Sequence, residues 1–145
     1  MQVVESGEFA VGKPPEEVVK VLSDPAAVAR LIPGVGEVRE AGGEYVGEAA
    51  VRLGHLSGKM KARFRYAEVR RDGVVVVGRA EGMQTTADFK IAVDVQPGGG
   101  GGSLVRWRFE GSARGLAASL APSLVRDALR RIAAETAKNL AAVLS

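Results

Sequence analysis

Between Glu37 and Arg114 apolar residues recur at every second position, and from Val125 to Val143 they recur at every third or fourth. No other feature of the chain constrains its fold as much. The first pattern describes β-strands that are dry on one face only. In one strand Met60, Ala62, Phe64 and Tyr66 alternate with Lys59, Lys61, Arg63 and Arg65. In another, Ala87, Phe89, Ile91, Val93 and Val95 oppose Asp88, Lys90 and Asp94, and in a third, Val105, Trp107 and Phe109 oppose Arg106, Arg108 and Glu110. The second pattern is an amphipathic helix with Val125, Leu129, Ile132, Thr136, Leu140 and Val143 on one side. Its other side carries Arg126, Asp127, Arg130, Arg131, Glu135 and Lys138, with Asp127 and Arg131 spaced for an ion pair. A one-faced sheet and a one-faced helix expose apolar surface until each covers the other, so the expected class is a two-layer α+β fold.

Proline, glycine and aspartate divide the chain into elements. A strand over Val3 to Val11 ends at Lys13-Pro14-Pro15, where proline stops ladder pairing and suits a helix start. Glu16 and Glu17 sit at the positive end of that short helix, which runs to about Ser23. Asp24-Pro25 caps a second short helix, Ala26 to Ile32, which Pro33-Gly34 stops. Turns follow at Gly42-Gly43, Gly54-His55, Asp72-Gly73, between Gly82 and Thr85, and at Gly98 to Gly102. Leu116 to Ala121 forms a lead-in turn, and Pro122 belongs in the first turn of the long helix. That helix, on the order of 30 Å long, matches a strand of about ten residues. The expected architecture is a seven-stranded curved antiparallel sheet wrapped around the long C-terminal helix, with two short helices after strand 1. A chain of 145 residues that is 46% hydrophobic is expected to form one domain over its whole length.

The inward positions are unusually small. Gly47, Ala49, Gly58, Ala62, Gly78, Ala80 and Ala87 share the parity that faces the helix, and the helix contributes Ala128, Ala133 and Ala137. Protein interiors are close-packed, and a bent sheet stands away from its helix near one end, so these residues predict a cavity of roughly 300 Å³ or more. Val28, Leu31, Ile32 and Val35 are expected to wall its entrance. Phe64, Phe89, Ile91, Trp107, Leu129 and Ile132 are expected to line the interior, where Tyr45, Tyr66 and Thr85 offer hydroxyls or serve structural hydrogen bonds.

Much chemistry is excluded. With no cysteine and a single histidine, His55 in a turn, neither a disulfide scaffold nor a metal site of ordinary type is expected, and no cofactor is expected. Gly98 to Gly102 lacks the lysine of a phosphate loop and lies between two strands. The net charge is +3, and the basic residues Arg52, Lys59, Lys61, Arg63, Arg65, Arg106 and Arg108 share the outer sheet face with Glu48, Asp88, Asp94 and Glu110. That face reads as solvated mixed charge, with docking to an acidic protein or anionic lipid as the sharper alternative; without exposed aromatics it is not a nucleic-acid surface. No apolar run approaches the roughly 18 residues of a spanning helix, so a cytoplasmic protein is expected. Glu5 is the exception to the dry face, because its parity points a carboxylate toward the helix, where it would orient a polar head or act as an acid.

Several short motifs, in order, resemble one family. Gly7-Glu8-Phe9-Ala10-Val11, Pro14-Pro15-Glu16-Glu17-Val18, Asp24-Pro25, Ile32-Pro33-Gly34-Val35, Gly43-Glu44-Tyr45, Leu53-Gly54, Trp107 and Gly115-Leu116-Ala117 look like the carbon monoxide dehydrogenase CoxG family, within the helix-grip, START-like superfamily. The resemblance covers nearly the full chain. It implies a sheet gripping the C-terminal helix, a hydrophobic ligand cavity, and an accessory role beside molybdenum-containing dehydrogenases, by docking them at the membrane or carrying a quinone-like lipid to them. The sequence stops at Ser145 without the apolar tail of longer members, so peripheral contact with the inner face of the membrane is expected rather than direct anchoring. The expected function is that of a non-enzymatic protein binding a lipid- or quinone-like molecule. Two alternatives remain at this point: a cyclase- or hydrolase-type enzyme using Glu5 or a tyrosine, and a docking adaptor whose interior is filled by its own side chains.

Overall fold

In a computed structural model describing residues 1–145, seven strands form one antiparallel sheet in the order β1-β7-β6-β5-β4-β3-β2. The strands are β1 (Gln2–Val11), β2 (Arg39–Ala41), β3 (Glu44–Leu53), β4 (Leu56–Arg70), β5 (Gly73–Gly82), β6 (Thr85–Pro97) and β7 (Ser103–Gly115). The helices are α1 (Pro15–Leu22), α2 (Pro25–Leu31), α3 (Leu116–Leu120) and the long α4 (Pro122–Val143). β1 pairs with β7, whereas β2 lies on the opposite edge. The chain must therefore cross the sheet between them, and α1 and α2 carry it across.

Local chemistry places the ends of these elements. Asp24 accepts hydrogen bonds from the backbone N–H of Ala26 (3.1 Å) and Ala27 (3.4 Å), satisfying donors that the first turn of α2 leaves open. Pro15, Pro25 and Pro122 each occupy the first turn of a helix. The β4–β5 turn lies at Arg71-Asp72, one residue earlier than Asp72-Gly73, because Gly73 already pairs with Arg70 and Asp94. The β5–β6 turn falls on Met83 and Gln84, both left-handed (φ 55° and 54°) without being glycine. A two-residue hairpin demands that conformation, and the strand register overrides the side chains' preference.

The register explains the shape of the inner face. Gly47, Ala62, Ala80, Ala87 and Ala113 are partners in turn across five strands, β3 to β7. Two residues further along the strands, Tyr45, Phe64, Gly78, Phe89 and Gly111 form the next row, in which each ring lies beside a glycine or another ring. A Cβ on Gly78 would lie 2.2 Å from the Phe89 ring, so the absence of a side chain is what lets that ring lie down. Gly47 and Gly58 are covered locally, by Val38 and Met83 respectively, and so open no space of their own. A bulge between Tyr66 and Glu68 bends the fifteen-residue β4, supplying curvature.

The core falls into two parts at opposite ends of α4. Leu140 and Leu144 pack with Val18, Leu22, Leu31 and the valines of β5 to β7. Val125 and Ala128 pack with Leu53 and Ala113. Val143, expected on the apolar stripe, is 53% exposed, while Leu144 is fully buried, because the cluster with Val18 lies on the Leu144 side. Asp127 and Arg131 do not pair either: Arg131 Nη2 donates to the Arg52 carbonyl at 3.2 Å, tying α4 to β3.

Between α2 and β2 the chain is braced against β3, where Ala50 N–H donates to the Gly34 carbonyl (2.8 Å) and Gly36 N–H to the Glu48 carbonyl (3.0 Å). Gly34 has φ +84°, and a Cβ there would lie 2.3 Å from the Ala50 oxygen. Gly42, at φ +61°, has nothing within 4 Å of its Cβ position. Gly34→Ala is therefore expected to cost roughly 2 kcal/mol or more, since a clash adds to the conformational strain, while Gly42→Ala costs about 1 kcal/mol. Thermal melts of the two variants check this: equal losses would mean that the brace is not as close as described.

Candidate functional site

Held at both ends, α4 spans a hollow that its middle does not fill. The cavity between α4 and the sheet has a volume of about 200 Å³, and 31 of its 35 lining residues are hydrophobic, so contact area and shape govern what it accepts. It is smaller than expected. The alanine row opens the space, but Phe64, Phe89, Ile91, Trp107 and Phe109 project into it from the same face and take up part of the volume.

Ten of the twelve residues expected at the site line the cavity. Val28, Leu31, Ile32 and Val35 come from α2 and the segment after it; Phe64, Phe89, Ile91 and Trp107 come from the sheet; Leu129 and Ile132 come from α4. The indole of Trp107 lies flat over Gly7, where a Cβ would approach it to 2.9 Å. The other two expected residues are elsewhere. Tyr66 donates its hydroxyl to the Leu22 carbonyl (2.7 Å), and Tyr45 packs its ring on Phe64 with centroids 5.4 Å apart. Tyr66 lies outside the lining because the end of α1 takes up its hydroxyl, and Tyr45 because its ring packs beside Phe64 and Tyr66. Burial, with Tyr45 and Asp24 nearby, pushes the Tyr66 phenol well above its ordinary value, so it stays neutral.

Other lining residues are absent from the set that the sequence pattern singles out. Phe109, Val74, Val76 and Val93 share the strand parity of residues in that set and are open to the same reasoning. Met83 is not, because a turn residue gives no period; its side chain folds back over Gly58 and borders the cavity. Val38 belongs to an irregular segment and is equally without a signal.

The few polar side chains at the border are engaged with the protein. Thr85 donates to the Met83 carbonyl (3.2 Å) and accepts from Ala117 N–H (3.1 Å), and Thr136 donates to the Ile132 carbonyl (2.7 Å). Asp88 is the single ionisable residue of the lining, and it is gripped by Arg79 (2.7 Å) and Arg114 (2.6 Å). Hydrogen bonds from Arg79 and then Arg114 hold its carboxyl below the usual carboxylate range, so it is an anion already neutralised and not a proton donor. Glu5 faces the helix side as its parity requires, but it pairs with Arg130 on α4 at 3.2 Å and does not reach the cavity. His55 is exposed in the β3–β4 turn. On the outer face the charges pair across and along strands, as in Arg63–Glu81, Arg106–Glu8 and Arg108–Glu110.

Comparison with known proteins agrees with this architecture. The model of the carbon monoxide dehydrogenase CoxG family matches residues 7–145. No curated protein sequence matches the chain. Among solved structures, a conserved protein from Geobacillus kaustophilus superimposes with a TM-score of 0.82 at 14% identity, over 98% of this chain and 95% of that one. The Zhui aromatase/cyclase from Streptomyces sp. R1128 gives 0.63 at 18% identity, over 99% and 92%. A protein from Chromobacterium violaceum gives 0.64 at 20% identity, over 97% and 96%. At these identities the likeness is one of fold, a curved sheet around a long C-terminal helix.

The Asp88 cluster generates a pH prediction. Because the folded state lowers this carboxyl's pKa, its stabilising contribution is present at neutral pH and is lost as pH falls below the ordinary value of 3.8. Wild type should be more resistant to urea than Asp88→Asn at neutral pH, and the gap should narrow by pH of about 2.5. A gap that does not change with pH would contradict the assignment.

Proposed function

The chain belongs to the carbon monoxide dehydrogenase CoxG family, and from that premise we propose that it is a non-enzymatic accessory protein that holds a lipid- or quinone-like molecule between sheet and helix. The cavity carries the proposal: it is apolar on nearly every side, and the carboxylate of Asp88, the one ionisable residue at its border, has the outward strand parity and is held by two guanidiniums. General acid–base catalysis needs a group free to exchange a proton beside the substrate, and this lining supplies none. What remains is binding by shape and burial, which favours a largely apolar ligand. The hollow also speaks against an adaptor with a self-filled interior.

The family description supports an association with carbon monoxide dehydrogenase, and the proposed partner is a molybdenum-containing enzyme of that type. No helix is long and apolar enough to cross a membrane. The proposed setting is the cytoplasm, where the protein collects its ligand by peripheral contact with the inner face of the membrane.

Trp107 is the chain's sole tryptophan and borders the cavity, so it reports directly on occupancy. Titration with a quinone analogue should quench its fluorescence saturably. Ala80→Leu, which puts a larger side chain at the centre of the alanine row, should weaken that binding by about tenfold or more while leaving the melting temperature unchanged or higher. If neither quinone analogues nor other apolar ligands alter the fluorescence, the binding function is refuted.

A further inference from the structure

The apolar cavity lies against a second, polar depression. A cleft of about 540 Å³ lies between β3, the start of β4 and α4, and it shares Pro33, Ala50, Val51 and Ile132 with the cavity lining. Those four residues are where the two spaces adjoin. The character changes there: the cleft is bordered by Arg52, Lys59, Arg131 and Ser57, with no acidic residue among its lining.

The charges there are only partly compensated within the protein. Neither Arg52 nor Arg131 has a carboxylate within 4.0 Å, a state they share with Arg30, Arg39, Arg65, Arg71 and Arg126, while the other seven arginines are paired. What sets these two apart is that both border one cleft. Lys59 has one distant, exposed partner, Glu48 at 3.8 Å. Arg131 is also positioned: one Nη donates to the Arg52 carbonyl, which fixes the guanidinium at the edge of β3 while leaving further N–H groups free. The edge is reachable because β2 pairs only with Tyr45, Val46 and Glu44 at the beginning of β3, and the Gly34–Gly36 brace ends at Ala50.

Deepening the binding function argued above, on which this inference rests, we propose that the ligand is an amphiphile with an anionic head, carboxylate or phosphate. The head lies in the cleft against Arg131, Arg52 and Lys59. The tail passes between Pro33, Ala50, Val51 and Ile132 into the apolar cavity. A neutral head would leave two guanidiniums facing the ligand without a counter-charge, whereas an anionic one accepts charge-assisted hydrogen bonds from them.

Decanoate, decyl phosphate and decanol have the same tail and differ in head, so their affinities, measured by Trp107 quenching and by calorimetry, separate the two parts of the site. Decanoate and decyl phosphate should each bind about tenfold more tightly than decanol. In Arg52→Gln/Arg131→Gln both anions should fall to the level of decanol, whose own affinity stays the same. In the wild type, added salt should weaken the anions and spare decanol, a readout independent of the variant's folding. Decanol binding as tightly as the anions, or an anion preference that survives the double substitution, would overturn the anionic head and leave the apolar cavity's function standing. Failure of all three to bind would overturn both.

Discussion

The central constraint is that α4 is packed hard at its two ends and faces alanine in between. Leu140 and Leu144 are clamped by α1, α2 and the valine-rich ends of β5 to β7, and Val125 and Ala128 by Leu53 and Ala113. With both ends fixed, the middle of a stiff rod cannot sink toward Ala62, Ala80 and Ala87. The hollow follows from that geometry. An empty apolar void of about 200 Å³ costs on the order of 5 kcal/mol at about 24 cal/mol per Å³. That is comparable with the whole stability of an ordinary domain. An occupant that fills the space recovers part of this cost, so binding and folding stability are linked in this molecule.

Charge is distributed so that the cavity stays dry and chemically quiet. The outer face of the sheet carries ion pairs that run across strands, with Arg70 reaching Glu68, Asp72 and Asp94 at the β4–β5 end. Exposed pairs of this kind contribute little stability each, and their role is to keep one face of the sheet wet. Inside, each polar group at the border is turned toward the protein, as with Thr85 on Met83 and Thr136 on Ile132. Beside the cavity, Arg52 and Arg131, neither of them paired with a carboxylate, border the adjoining cleft. The same sheet thus offers an inert interior and a charged threshold a short distance apart.

Most of this plan is legible in the sequence, and the exceptions have physical causes. Strict alternation in β4, β6 and β7 identifies the inward faces, because a one-residue slip would turn every ring to water. The periods cannot show which side of the last turn of α4 the core favours, and so they put Val143 inside where Leu144 lies. The hydroxyls of Tyr45 and Tyr66 follow the correct parity, yet Leu22 at the end of α1 takes up the Tyr66 hydroxyl and Tyr45 packs beside that ring. Met83 lies in a turn, where no period exists to read. Small residues counted without the rings beside them overstate the cavity's volume; Phe89 reclines over Gly78 and Trp107 over Gly7, so the glycines accommodate aromatics rather than emptiness.

Xenon enters dry apolar cavities and leaves solid interiors alone, which makes it a direct probe of the hollow. Crystals of the protein pressurised with xenon should show a bound atom between Ala80 and Ile132, in contact with Ala62 and Ala87, with the position of α4 unchanged. Side chains of α4 occupying that space, with no xenon between helix and sheet, would contradict the account.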